Sequence, residues 1–166
     1  AVPEPKPAQV KLVASGDARG VHLTELSVVE GDRALTQATG RGPLTLRLQP
    51  TPLLQWDDTL PLELTASTTA DSPLWAALSA ATGLTLKDPV ATMKLTGTLR
   101  EPIGDLQLRA AQLSVPVKSE NYSLPDGTDL TVDLQFSRDR VTLTDFSAKL
   151  DGQPVRASGQ VEMNDA

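Results

Sequence analysis

Apolar and polar residues alternate along most of this chain. A period of two places successive side chains on opposite faces of a β-strand. The clearest run alternates Leu130, Val132, Leu134 and Phe136 with Thr131, Asp133 and Gln135. With shorter runs elsewhere, and at the strand spacing typical of antiparallel meanders, the pattern predicts an all-β chain of about ten to twelve short strands. The other runs include Leu44-Leu46-Leu48, Leu60-Leu62-Leu64, Met93-Leu95, Leu106-Leu108-Ala110, Val141-Leu143 and Val155-Ala157-Gly159-Val161.

One segment departs from this period and predicts a short helix near residues 72–82. Asp71 or Ser72 provides an N-cap, Pro73 suits the first helical position, and Gly83 suits the C-terminal end. Apolar residues at helical spacing within the segment, such as Leu74 and Leu78, share one face.

Gly and Asp pairs mark turns between the strands. Asp151-Gly152 is a strong hairpin signal, and Asp126-Gly127 and Gly31-Asp32 indicate further turns. The segment from Val21 to Ser27 resembles the segment from Val141 to Ser147, 120 positions later. Either duplication of a β unit or chance similarity between two amphipathic hairpins explains this likeness.

The predicted organisation is a linker followed by one β segment. Residues 1–8 read AVPEPKPA, and proline at alternate positions favours an extended, unpaired linker. Residues 9–166 form the segment, with two repeat units at about 9–70 and 86–163 joined by the helix.

Composition narrows the classes of function. The net charge is −6, and no cluster of Lys and Arg is present, which disfavours nucleic acid and electrostatic docking on anionic lipid. The chain has no Cys and one His, so disulfides, thiol catalysis and the usual zinc sites are excluded. The sequence has no run of about 18 apolar residues, so it predicts no membrane-spanning helix.

The residues that could support catalysis are isolated. His22 occupies an outward position of an alternating strand, so we interpret it as a surface residue rather than a triad base. Asp57 and Asp58 are adjacent and would point to opposite faces of a strand, so they fit a turn better than a carboxylate pair. Asp105 is isolated and is also expected in a turn. No enzymatic activity and no cofactor or metal are expected.

From Leu74 to Met163 the chain resembles the repeating unit of the TamB and AsmA-like envelope proteins. A short helix and a strand lead into Gly97-Thr98-Leu99 and Glu101-Pro102, interpreted as a strand of the form G-T-L-x-x-P. An amphipathic strand pair follows, and the closing strand is Val155-Arg156-Ala157-Ser158-Gly159-Gln160-Val161. The first half of the chain carries a partial second copy of the pattern.

The resemblance implies a protein anchored in the bacterial inner membrane and extending through the periplasm. Its curved antiparallel sheet would form an elongated half-pipe, a β-taco, with an apolar interior. The groove would carry phospholipid acyl chains between the inner and outer membranes. The TamB branch also implies a role in outer-membrane protein translocation and assembly, with a TamA-like outer-membrane partner.

Strand alternation predicts which residues share the apolar side of the sheet, and the resemblance makes that side a lipid groove. Thr96, Gln107, Thr131, Asp133 and Gln135 should face water. The alternative is a structural or adhesive β-domain whose aliphatic core is closed by its own side chains. The predicted groove residues are Leu95, Leu106, Leu108, Leu130, Val132, Leu134, Phe136, Val141 and Leu143.

Overall fold

A computed structural model describes residues 8–17, 20–31, 33–47, 53–115 and 126–163. These residues form strands and one helix, which confirms the predicted all-β class. In chain order the elements are β1 (Ala8–Asp17), β2 (Gly20–Glu30), β3 (Arg33–Gly42), β4 (Leu44–Arg47), β5 (Leu53–Trp56), β6 (Leu62–Thr68), α1 (Pro73–Thr82), β7 (Thr85–Lys87), β8 (Val90–Gly97), β9 (Pro102–Ser114), β10 (Gly127–Ser137), β11 (Arg140–Leu150) and β12 (Gln153–Glu162).

The predicted linker lies mostly outside the described part of the chain. Residues 1–7 are not among the described residues, and Ala8 is the first residue of β1 rather than the end of a linker. Asp32, from the turn predicted at Gly31-Asp32, is likewise outside the described residues.

Ten strands form one antiparallel sheet. Nine of them follow the order β1-β2-β3-β6-β8-β9-β10-β11-β12, and β7 pairs with the end of β9. β4 and β5 form a separate two-stranded hairpin. Since β6 pairs with β8, the sheet continues past the helix that separates these strands in sequence. β1 and β12 are the two edges of the ordered path.

The predicted helix is present as α1, and its ends have the expected chemistry. The Ser72 side chain accepts a hydrogen bond from the Leu74 amide at 3.3 Å, and Pro73 starts the helix. Gly83 adopts φ 76° and donates its amide to the Ser79 carbonyl at 2.7 Å. Helix caps of this kind satisfy backbone groups that have no partner within the helix.

Two hairpin connections also follow local chemistry. Asp151 and Gly152 have φ values of 49° and 77°, as a two-residue type I′ turn between β11 and β12 requires. The motif from Gly97 to Pro102, however, is not one strand: Gly97 ends β8, Pro102 begins β9, and residues 98–101 connect them. Gly97 adopts φ 99°, and a Cβ there would overlap with the Glu101 carbonyl oxygen, so the connection requires glycine.

The similar segments in β2 and β11 share a structural irregularity. Consecutive residues of β1 pair with Glu25 and Leu23 of β2, so Thr24 is an extra residue in the ladder. Consecutive residues of β10 pair with Asp145 and Leu143 of β11, so Thr144 is the extra residue there. Both are β-bulges, and they lie 120 positions apart, as the sequence similarity does. A bulge generally bends its strand and increases the local twist, so a bend is expected at the same position of each similar segment.

Candidate functional site: an apolar sheet face

Cross-strand pairing brings all of the predicted groove residues onto one side of the sheet. Residues directly opposite each other in a ladder point to the same face. Leu134 in β10 pairs with Leu106 in β9 and with Leu143 in β11, so all three point to the same face. We call this side the apolar face, and its predicted members are Leu95, Leu106, Leu108, Leu130, Val132, Leu134, Phe136, Val141 and Leu143.

The polar partners occupy the opposite side. Gln107 lies opposite Asp133, Thr131 opposite Arg109, and Gln135 opposite Asp105. Asp105 is therefore inside β9, and its expected place in a turn is wrong. The alternating Leu106 and Leu108 determine a strand there, and a single Asp on the exposed side does not interrupt it.

The apolar face extends well beyond the predicted residues. One row of paired residues crosses the ordered path from β1 to β12. The alternating runs of the sequence contain the members of this row from β8 to β12, but the strand order was needed to assemble it. The row consists of Leu12, Leu26, Ala38, Ala66, Met93, Leu106, Leu134, Leu143 and Gly159.

Burial on the apolar face is uneven. Ala110, Leu130 and Ala148 form a buried cluster with exposures of 6%, 4% and 5%. The other predicted groove residues are half-buried. Of the described elements outside the ten-stranded sheet, α1 and the β4–β5 hairpin remain, and β4 lies near β1 and β2. The described residues therefore leave much of the β8–β11 region without a second layer.

Helix α1 lies over the middle of the apolar face and leaves a pocket beneath it. The Trp75 indole donates to the Thr69 carbonyl at 2.9 Å, and Ser72 shares a 2.7 Å hydrogen bond with Thr36, so both contacts tie the helix to the sheet. The pocket has a volume of about 330 Å³. Its lining is almost wholly apolar and consists of Thr36, Ala66, Thr68, Leu74, Trp75, Leu78, Ala91, Met93 and Leu106.

A glycine shapes the other end of the apolar face. Gly104 lies opposite both Leu95 and Phe136, and a Cβ at this position would overlap with the Phe136 ring. The ring therefore lies flat across β9 instead of standing away from the sheet. Alternation alone did not single out Gly104, because a glycine in a strand carries no apolar signal.

The isolated polar residues do not converge on a reactive centre. Asp57 accepts hydrogen bonds from the amide and hydroxyl of Thr59, which hold the pKa of its carboxyl below the ordinary value. Asp58 pairs with Arg100 at 2.6 Å. His22 lies in β2 opposite Ser15 and Arg41. Within the described ranges, no group of three or more His, Asp or Glu side chains could hold a metal ion.

Comparisons with protein-family models, with curated proteins and with solved structures give no match to this chain. Within the part of the chain that the structure describes, no helix has the length and apolar character needed to cross a bilayer.

Proposed function

We propose that this chain is a segment of a periplasm-spanning protein of the TamB and AsmA-like type, and that its apolar face binds phospholipid acyl chains. The observation that carries the proposal is the half-buried aliphatic surface that continues from strand to strand across β8–β11. In this role the segment conducts phospholipid between the inner and outer membranes and supports outer-membrane assembly with a TamA-like partner.

The chemistry of the apolar face suits acyl chains. Removing a methylene group from water stabilises the bound state by about 0.8 kcal/mol, with no need for positioned polar groups. At about 4.8 Å per strand, the row from Leu12 to Gly159 crosses eight steps and about 38 Å. The row consists of Leu, Ala and Met side chains and one Gly, so it offers apolar contact without a positioned polar group, which favours movement over fixed binding.

The charged residues of β8, β9 and β10 lie on the side of the sheet opposite the surface that lipid would contact. Lys94 and Asp105 lie opposite each other on the other side of the sheet, and Gln107 and Asp133 form the next pair in line there. An acyl chain on the apolar face would therefore meet none of these charges, while the other side remains hydrated. The bulges at Thr24 and Thr144 add bends of the kind that a half-pipe needs.

A second candidate function is a structural or adhesive β-domain with a closed aliphatic core. The buried cluster of Ala110, Leu130 and Ala148 favours it, because this part of the face is already covered by the chain's own side chains. In that case the half-buried residues would be covered by other parts of the protein and would take no lipid.

Lipid extraction and mass spectrometry of the purified chain, expressed in a bacterial periplasm, test the proposal. Leu134→Asp places a charge on the apolar face, and Thr131→Asp places the same charge on the opposite side of the same strand, where it lies opposite Arg109. The parent and Thr131→Asp should carry phospholipid, and Leu134→Asp should carry much less while remaining folded. Absence of lipid from the folded parent, or equal loading of both variants, would contradict it.

A further inference from the structure

The pocket beneath α1 lies on the row of paired residues that crosses the apolar face. Ala66, Met93 and Leu106 are consecutive members of that row, and all three line the pocket. Leu74 and Leu78 of α1 contribute to the same lining. A hydrocarbon chain that follows the row across β6, β8 and β9 therefore passes between the sheet and the helix, where it contacts apolar side chains of both.

The hydrogen-bonding groups of the pocket lining are already engaged within the protein. The Thr36 hydroxyl shares a hydrogen bond with Ser72, and the Thr68 hydroxyl accepts a 3.1 Å hydrogen bond from a backbone amide of β8. The Trp75 indole N–H is donated to a backbone carbonyl. A polar ligand group would lose its hydrogen bonds to water without gaining new ones here, so the pocket favours hydrocarbon.

The volume of the pocket sets the length of hydrocarbon that it can enclose. An apolar cavity of about 150 Å³ holds benzene, which has six carbons, so the pocket's volume of about 330 Å³ accommodates about twelve carbons. Ala66 and Ala91 contribute to this space on the sheet side, because their side chains are single methyl groups.

The pocket can be reached from solvent. Leu74 and Leu78, which form part of its wall, are 54% and 38% exposed. The charged end of a lipid can therefore remain in water while its chain enters the pocket. This matters because burial of an unpaired charge would cost more free energy than the chain gains.

We propose that the pocket beneath α1 is a binding site for one unbranched acyl chain, with room for about twelve carbons. The inference rests on the proposed function for the class of ligand, and it adds a fixed position at which a chain is held. On the open part of the apolar face, a longer chain gains contact with every added methylene. Beneath α1 the gain ends when the pocket is full.

A series of fatty acids from hexanoate to hexadecanoate, titrated into the parent chain by calorimetry, tests this limit. The association constant should rise about fourfold for each added methylene, level off near twelve carbons, and correspond to one chain per protein. Dodecanoate hydroxylated at its terminal carbon should bind at least tenfold more weakly than dodecanoate, because its hydroxyl would be buried without a partner. A rise that continues to hexadecanoate, or equal binding of the hydroxylated acid, would overturn the proposal.

Substitutions that narrow the pocket give the matched test. Ala66→Phe adds a benzene-sized ring and should move the levelling to shorter chains and weaken dodecanoate binding at least tenfold. Ala157→Phe is the control: it adds the same ring to the apolar face in β12, outside the pocket, and should bind dodecanoate as the parent does. Leu78→Gln provides a second variant at an exposed wall position and should also weaken dodecanoate binding. Circular dichroism reports the folding of each variant, and dodecanoate binding unchanged in folded Ala66→Phe and Leu78→Gln would overturn the proposal.

The source of the acyl chain separates this site from the proposed function. A phospholipid with two short acyl chains should displace dodecanoate from the parent. Phospholipid loading of the parent, together with fatty-acid binding that never levels off, would overturn the pocket site and leave the proposed function standing. Dodecanoate binding that levels off but is not displaced by phospholipid, in a parent that loads no phospholipid, would assign the site to free fatty acid and refute the proposed function alone.

Discussion

Truncating Leu130 and Leu134 to alanine, one at a time, measures how open the apolar face is. The two residues belong to the same strand and the same face, but Leu130 is 4% exposed and Leu134 is half-buried. Leu→Ala in a packed core costs 2–5 kcal/mol because it leaves a cavity as well as losing burial, so Leu130→Ala should lose about 3 kcal/mol. Leu134→Ala should lose about 1 kcal/mol, since solvent already reaches its side chain and fills the space.

Urea denaturation followed by circular dichroism gives both losses from the transition midpoints at a common slope. A difference of about 2 kcal/mol corresponds to a separation of about 1 M urea at a slope of 2 kcal/mol per molar. Equal losses for the two variants would refute an open apolar face, because Leu134 would then be as well packed as Leu130.

Four further substitutions test other parts of the fold. Gly40→Ala should destabilise the protein by more than about 2 kcal/mol or prevent folding, because the added Cβ would overlap with a backbone carbonyl of β6. Gly159→Ala is the control: its Cβ would meet open space, so the urea midpoint of unfolding should change little. Ser72→Ala removes the N-cap of α1 and should lose about 1 kcal/mol in urea denaturation; an unchanged midpoint would contradict the capping role. The pKa of Glu25 is lowered by its hydrogen bonds, chiefly from Lys11. Its contribution to the free energy of unfolding is therefore present above the ordinary pKa of 4.5 and is lost as the pH falls below it. In Glu25→Gln, the free energy of unfolding should depend less on pH in this range.

The faces of the strands were predictable because alternation is local. The polar residues on either side of Leu106, Leu108 and Leu134 indicate that these leucines lie on the apolar face. The helix was predictable for the same reason, since Ser72 and Gly83 act on adjacent backbone groups.

The assembly of the sheet was not predictable from local pattern. The pairing of β6 with β8 spans the helix between them, and the pocket beneath α1 depends on that pairing. The bulges at Thr24 and Thr144 each shift the apolar alternation by one position, but two adjacent polar residues in a sequence indicate a turn as readily as a bulge. Leu44 begins a run that resembles the main strands but forms the separate β4–β5 hairpin, because strand partners are chosen by the whole chain.

Photo-crosslinking from position 134 tests most directly whether the apolar face holds lipid. A photoreactive amino acid replaces Leu134 in one variant and Gln135 in another, so that the two probes lie on opposite sides of β10. Both variants are irradiated with phospholipid vesicles and analysed by mass spectrometry. The predicted result is a phospholipid adduct at position 134 and little or none at 135. A folded protein with no adduct at 134, or with equal adducts at both positions, would contradict acyl-chain binding by the apolar face.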